Sequence, residues 1–140
     1  MRSSLHFEPI NAGIGAVVHG LAWSIPFSQE VSDQILEGLL AHQVLVFPDA
    51  NLSPEIQIAL AECIGPVWTR HPFFPSVKDA RPVAVIEDGP TSPPENAVWH
   101  SDMSPSNPPP FGSVLSARTI PQAGGDTLWC SMRGLYDQLP

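Results

Sequence analysis

The sequence predicts a mainly β domain with flanking helices, on three observations. Short β-branched apolar runs, bounded by glycine and proline, recur from Gly13 to the end of the chain. Two stretches, near residues 28–43 and 53–65, change to a three- and four-residue apolar period. Most of the 17 prolines fall between Pro72 and Pro121, which favours stiff loops over a helical bundle.

Taken in order, "GIGAVVHGLAW" (Gly13 to Trp23) reads as an early strand followed by a turn. In "SQEVSDQILEGLLAHQ" (Ser28 to Gln43), Val31, Ile35, Leu39 and His42 share a helical face, with Leu36 and Leu40 beside them. Ser28 suits the N-cap and Glu30 the positive end of the helix dipole. "VLVFPD" (Val44 to Asp49) has the character of a buried strand. A second helix starts at Ser53, with Pro54 at its first position and Glu55 next, and Gly65 supplies the stop. "RPVAVIED" (Arg81 to Asp88), "GSVLSAR" (Gly112 to Arg118) and "DTLWCS" (Asp126 to Ser131) are expected strands, and a last helix begins near Ser131. With 140 residues and no linker composition, residues 1–140 fit one domain.

Composition excludes several functions. A net charge of −8 with only six Lys and Arg argues against nucleic-acid binding, which needs cations to displace phosphate counterions. No apolar stretch has the length of a signal peptide core or a membrane span, so no membrane partner is expected. Cys63 and Cys130 match neither a zinc spacing nor a disulfide framework and are expected to be reduced, which points to a soluble cytoplasmic protein.

The chemistry centres on "NAVWHSDMSPSNPPP" (Asn96 to Pro110). In an extended strand His100 and Asp102 share a face while Ser101 points away. Imidazole nitrogen with carboxylate oxygen suits a divalent metal such as Fe(II). His-X-Asp also arises often by chance, so the tripeptide alone is a weak sign. The flanking Trp99 and the prolines from Pro105 to Pro110 put the pair where a strand leaves the core for a rigid loop. Further on, "AGGDTLW" sets a Gly-Gly turn before a short strand, where the Thr127 hydroxyl is able to donate to a carboxylate or to be an ordinary strand threonine.

These blocks together, "NAVWHSDMSP" with "SVLSARTIPQAGGDTLWCSMRGLYDQL", resemble the taurine/2,4-dichlorophenoxyacetate dioxygenase (TauD/TfdA) family of Fe(II)- and 2-oxoglutarate-dependent oxygenases. "GIGAVVHGL", "LLAHQVLVFPDANLSPEIQIALAECIGPV" and "HPFFP" agree in order, so the resemblance covers essentially the whole chain. It implies a double-stranded β-helix, or jelly roll, with flanking helices. It implies that His100 and Asp102 are the first two iron ligands, that Thr127 helps to hold the 2-oxoglutarate carboxylate, and that His71, Phe74 and Asn96 line the substrate pocket. No catalytic residue beyond the metal ligands is implied. Some relatives, taurine-specific ones among them, have tyrosine at the position of Phe74, so a pocket without that hydroxyl puts taurine itself in doubt. The implied reaction uses O2 and 2-oxoglutarate, releases succinate and CO2, and hydroxylates a small anionic substrate of sulfonate, sulfate ester or aryloxyacetate type.

The family's third ligand is a later histidine followed by an arginine for the distal carboxylate of 2-oxoglutarate. No histidine follows His100, and Arg118 and Arg133 lie in the wrong context for that arginine. The expectation is therefore an N-terminal portion of the enzyme, with the C-terminal half of the family fold absent, weak metal binding and no turnover on its own. Uncovered sheet edges would favour association into homo-oligomers or aggregation. Among upstream histidines, His71 fits a pocket role better than ligation, His42 a packed or capping role, and His6 and His19 structural or solvated ones. Two other functions compete: a noncatalytic β domain binding a small acid or a partner without metal, and a zinc hydrolase. The first has no need of the His100/Asp102 pair, and the second lacks an accompanying general base, since Asp88 and Glu95 read as solvated loop acids.

Overall fold

The computed structural model describes residues 4–89 and 98–140, which form two compact units: residues up to 51 with 115–140, and residues 52–114.

The first unit is built on β1 (His6–Pro9), β2 (Ala16–His19), α1 (Gln29–His42) and β3 (Leu45–Val46), in a three-stranded sheet of order β1-β2-β3. β1 runs antiparallel to β2 with His6 opposite His19 and Phe7 opposite Val18. The hairpin between them closes on Asn11, whose Oδ1 accepts from the N–H groups of Gly13 and Ile14 at 2.8 and 2.9 Å. β2 then pairs in parallel with β3, which the chain reaches through α1. β1 was not anticipated, although Leu5 and Phe7 alternate with polar His6 and Glu8 at a strand's two-residue period.

α1 forms where its caps and apolar period place it. The Ser28 hydroxyl accepts from the Val31 N–H, and Gln43 ends the helix in the left-handed region at φ 65°, its N–H donating to the Leu39 carbonyl. Ile35 and Gly38 are its buried residues, whereas Leu40 turns outward. At Gly38 the Phe7 ring lies so close that an added Cβ would sit 2.2 Å from its Cε1. Leu5, Ala16, Val18 and Ile35 are the buried apolar residues of this unit. Leu5 is fastened to α1 by its N–H, which donates to Gln34 Oε1 at 2.7 Å. Trp23 meets Phe47 edge-on at 5.5 Å and Phe27 at 6.4 Å. The expected buried strand at 44–49 is corrected: β3 has two residues and Val46 is 36% exposed, because only β2 pairs with it among the described residues.

The second unit holds α2 (Pro54–Glu62), β4 (Ser76–Val77) and β5 (Ala80–Ala84). Ser53 caps α2 and accepts from the Ile56 N–H, with Pro54 in the first turn. The helix ends at Glu62 before Gly65, whose φ is 151°. β4 and β5 form an antiparallel hairpin turned at Lys78 and Asp79, with Asp79 at φ 64°. Leu52, Leu60 and Ala80 are the buried apolar residues, and α2 packs on β5. The strand expected over 81–88 therefore stops at Ala84, and Val85 and Ile86 are exposed.

Two further expectations are corrected. Residues 112–118 and 126–131 carry strand composition but pair with no strand among the described residues, and Leu115, Leu128 and Trp129 are exposed. A strand's backbone groups need a neighbouring strand, and composition alone does not provide one. The last helix, α3 (Met132–Tyr136), does begin at Ser131, which accepts from the Gly134 N–H.

Candidate metal centre

His100 and Asp102 lie in the second unit, between Val98 and the turn that starts at Asp102. The backbone here is irregular, which corrects the expectation that a strand aligns the two side chains. They meet nevertheless: His100 Nε2 lies 3.0 Å from Asp102 Oδ1. A tight loop achieves this, with Met103 at φ 51° and the Ser106 N–H donating to the Met103 carbonyl at 2.9 Å.

The other imidazole nitrogen explains the pair's chemistry. His100 Nδ1 is 2.8 Å from the Val98 carbonyl, which can only accept, so Nδ1 carries a proton. In neutral imidazole the Nε2 lone pair then faces a carboxylate oxygen. Two lone-pair donors at that separation require a cation between them, either a proton or a metal ion. Without metal, the charged ring is favoured: the Val98 carbonyl is the largest influence and pushes the His100 pKa above its ordinary 6.5, burial opposes it, and the Asp102 carboxylate adds a lesser push upward. The donor set fits a divalent metal, since an N–H anchored on a backbone carbonyl is the arrangement that orients a ligating histidine. Sequence reasoning missed Val98 because its contribution is a main-chain oxygen, which leaves no mark on residue type. Both side chains are open to solvent, at 46% and 64% exposure, so the site is accessible. Among the described residues, no group of three or more His, Cys, Asp and Glu is gathered as a metal cage.

His71 and Phe74 also belong to the second unit, and their rings lie 4.9 Å apart. His71 Nδ1 accepts from the backbone N–H groups of Phe73 and Phe74 at 3.3 and 3.2 Å. Asn96 falls outside the described residues. Thr127 lies in the first unit, exposed, directly after Gly124 and Gly125 at φ 76° and 74° and Asp126. Both glycines hold backbone that glycine alone enters freely, next to a bend at residues 122–123, and no turn is formed at the Gly-Gly pair itself. Of the remaining histidines, His42 stacks on Phe7 at 6.0 Å, and His19 pairs with Glu8 at 3.0 Å and stacks on His6.

Residues 6–140 match the family model described as "Taurine catabolism dioxygenase TauD, TfdA family". The chain belongs to the TauD/TfdA family. Among curated relatives of this TauD/TfdA protein, an alpha-ketoglutarate-dependent sulfate ester dioxygenase of Pseudomonas putida is 30% identical over 97% of the chain and 44% of the relative. An (S)-phenoxypropionate/alpha-ketoglutarate-dioxygenase of Sphingobium herbicidovorans is 30% identical over 99% of the chain and 49% of the relative. An alpha-ketoglutarate-dependent 2,4-dichlorophenoxyacetate dioxygenase of Cupriavidus pinatubonensis is 37% identical over 69% and 39%. The crystal structure of a taurine dioxygenase from Burkholderia xenovorans superposes with TM-score 0.50 and 30% identity, covering 56% of this chain and 28% of that one. The chain thus spans less than half the length of these relatives.

Proposed function

We propose that this TauD/TfdA chain serves an Fe(II)- and 2-oxoglutarate-dependent dioxygenase of jelly-roll type that hydroxylates a small anionic organic substrate. The observation carrying the reading is the His100–Asp102 pair, 3.0 Å apart with Nδ1 fixed on the Val98 carbonyl, in a chain of this family. His100 Nε2 and an Asp102 oxygen hold the metal, and Val98 sets the tautomer that frees the Nε2 lone pair. When bound, Fe(II) with 2-oxoglutarate and O2 supplies the oxidising power, giving succinate, CO2 and a hydroxylated substrate carbon. Thr127 donates its hydroxyl to the 2-oxoglutarate carboxylate, and His71, Phe74 and Asn96 line the substrate pocket. Sulfonates, sulfate esters and aryloxyacetates are the substrate classes, supported by the names of the relatives and by the structural neighbour. Phe74 contributes no hydroxyl, which favours an apolar or aromatic group beside it over taurine's amine. His100 and Asp102 are the two side-chain ligands brought together among the described residues, and two alone hold a divalent metal weakly.

Anaerobic titration with Fe(II) and 2-oxoglutarate tests the reading. A visible charge-transfer band that is lost in Asp102→Ala and in His100→Ala is the expected result. Excess Fe(II) producing no band sinks it. Succinate release stimulated by one member of a sulfonate, sulfate ester and aryloxyacetate panel, and lost in Asp102→Ala, identifies the substrate class and overturns the expectation of no turnover by these 140 residues alone.

A further inference from the structure

The loop "HPFFP" (His71 to Pro75) spends its hydrogen-bond donors in an unusual way. Pro72 and Pro75 have no N–H, so Phe73 and Phe74 hold the only backbone donors of the four residues after His71. Both donate to one atom, His71 Nδ1, at 3.3 and 3.2 Å. The ring thereby closes its own turn as an Asn or Asp side chain does in an Asx turn. The loop continues into the β4–β5 hairpin, where the Val85 N–H donates to the Pro75 carbonyl at 2.8 Å. Tilted packing of the ring on Phe74 at 4.9 Å and an edge contact with Phe73 at 6.1 Å hold the imidazole over the turn.

An atom that accepts two N–H bonds carries no proton. We propose that the 71–75 loop locks His71 as the Nε2–H tautomer, so that the residue meets a ligand as a hydrogen-bond donor and is barred from coordinating a metal. Nε2 has no hydrogen-bond partner among the described residues. His100 is held the opposite way: its Nδ1 donates to the Val98 carbonyl, and neutral imidazole then keeps its lone pair on Nε2. The fold therefore divides two chemically identical side chains into a donor and a ligand through the backbone groups that face Nδ1. His71 is a positioning residue for its own loop and, where the substrate-pocket role above holds, sets specificity by favouring an acceptor oxygen at that point. The substrate consequence rests on the proposed function, whereas the tautomer lock does not.

The test uses the 15N-labelled chain without iron or 2-oxoglutarate, so its result is independent of turnover. Two-bond 1H–15N correlation spectra of the neutral ring are expected to show His71 Nε2 protonated and Nδ1 bare. A protonated Nδ1 overturns the proposal. Zn(II) is expected to leave the His71 pattern unchanged, and transfer of its proton to Nδ1 with Nε2 on the metal also overturns it. Amide exchange gives the positioning arm. In His71→Ala, protection of the Phe73 and Phe74 amides falls roughly five- to tenfold, the effect of one net hydrogen bond. In His71→Asn, whose Oδ1 takes the place of Nδ1, protection returns. Equal protection in the alanine variant and the wild type overturns the lock.

Discussion

At the residue scale, the Val98 carbonyl decides what His100 is able to do. Because that carbonyl and the Asp102 carboxylate both favour the charged ring, the folded-state pKa of His100 lies above 6.5. A raised pKa means that any stability from the charged ring is present at low pH and is lost as pH rises through the raised value. A metal ion needs the same nitrogen bare, so its affinity runs the other way and grows over that interval. An NMR titration of the metal-free protein is expected to give a His100 midpoint above 6.5, with Asp102→Asn lowering it only part of the way, since Val98 is the larger cause. A midpoint returned fully to the ordinary value by Asp102→Asn contradicts that order. Gly38 is a second residue on which much turns. Alanine is the better helix former by about 1 kcal/mol, but its Cβ would lie 2.2 Å from the Phe7 ring. Overpacking of this kind costs about 1–3 kcal/mol, so Gly38→Ala is expected to lower the unfolding midpoint in urea. Phe7→Leu in the same chain should recover part of the loss by shortening the clashing side chain.

At the scale of elements, both long helices were legible because their signals are local. Ser28 and Ser53 each cap a helix within three residues of the amide they accept from, and Pro54 tolerates a first-turn position that has no N–H bond to lose. Ser53 also lowers the Glu55 pKa, ahead of Glu55's own backbone N–H, with burial opposing weakly. The sign is that of a paired carboxylate: its stabilisation is present above the ordinary value of 4.5 and is lost as pH falls through the lower folded value. Ser53→Ala is expected to cost about 1 kcal/mol and to bring the Glu55 titration back up, both measurable by urea unfolding and 13C NMR. The strands were less legible. β1 and β4 are short and half polar, and the runs at 112–118 and 126–131 have the right residues but pair with no strand among the described residues. A cap is satisfied within one turn of chain, whereas a strand depends on residues far away.

For the whole molecule, the surface carries many large apolar side chains after residue 97. Trp99 is 70% exposed, Leu128 71% and Trp129 51%. Exposed apolar area of this extent binds apolar dyes and favours association. The chain is therefore expected to enhance ANS fluorescence in native buffer, and acrylamide to quench a large share of its tryptophan emission. That accessible share should shrink in Trp99→Phe and Trp129→Phe. Emission protected from acrylamide in the wild type would show that these rings are covered. Among the described residues no helix is long and apolar enough to cross a membrane.

Residue order alone determined the family, the two long helices with their caps, and the His100–Asp102 pair, because each is written in residue types a few positions apart. Tertiary structure decided what spacing cannot encode. It replaced the expected strand at His100 with an irregular loop that still joins the two side chains. It cut β3 and β5 short where pairing ran out, and it placed the Phe7 ring over Gly38. It also set two backbone amides against Nδ1 of His71 and a carbonyl against Nδ1 of His100. Main-chain groups are common to nearly every residue, so the partner each ring meets becomes known only once the chain has folded.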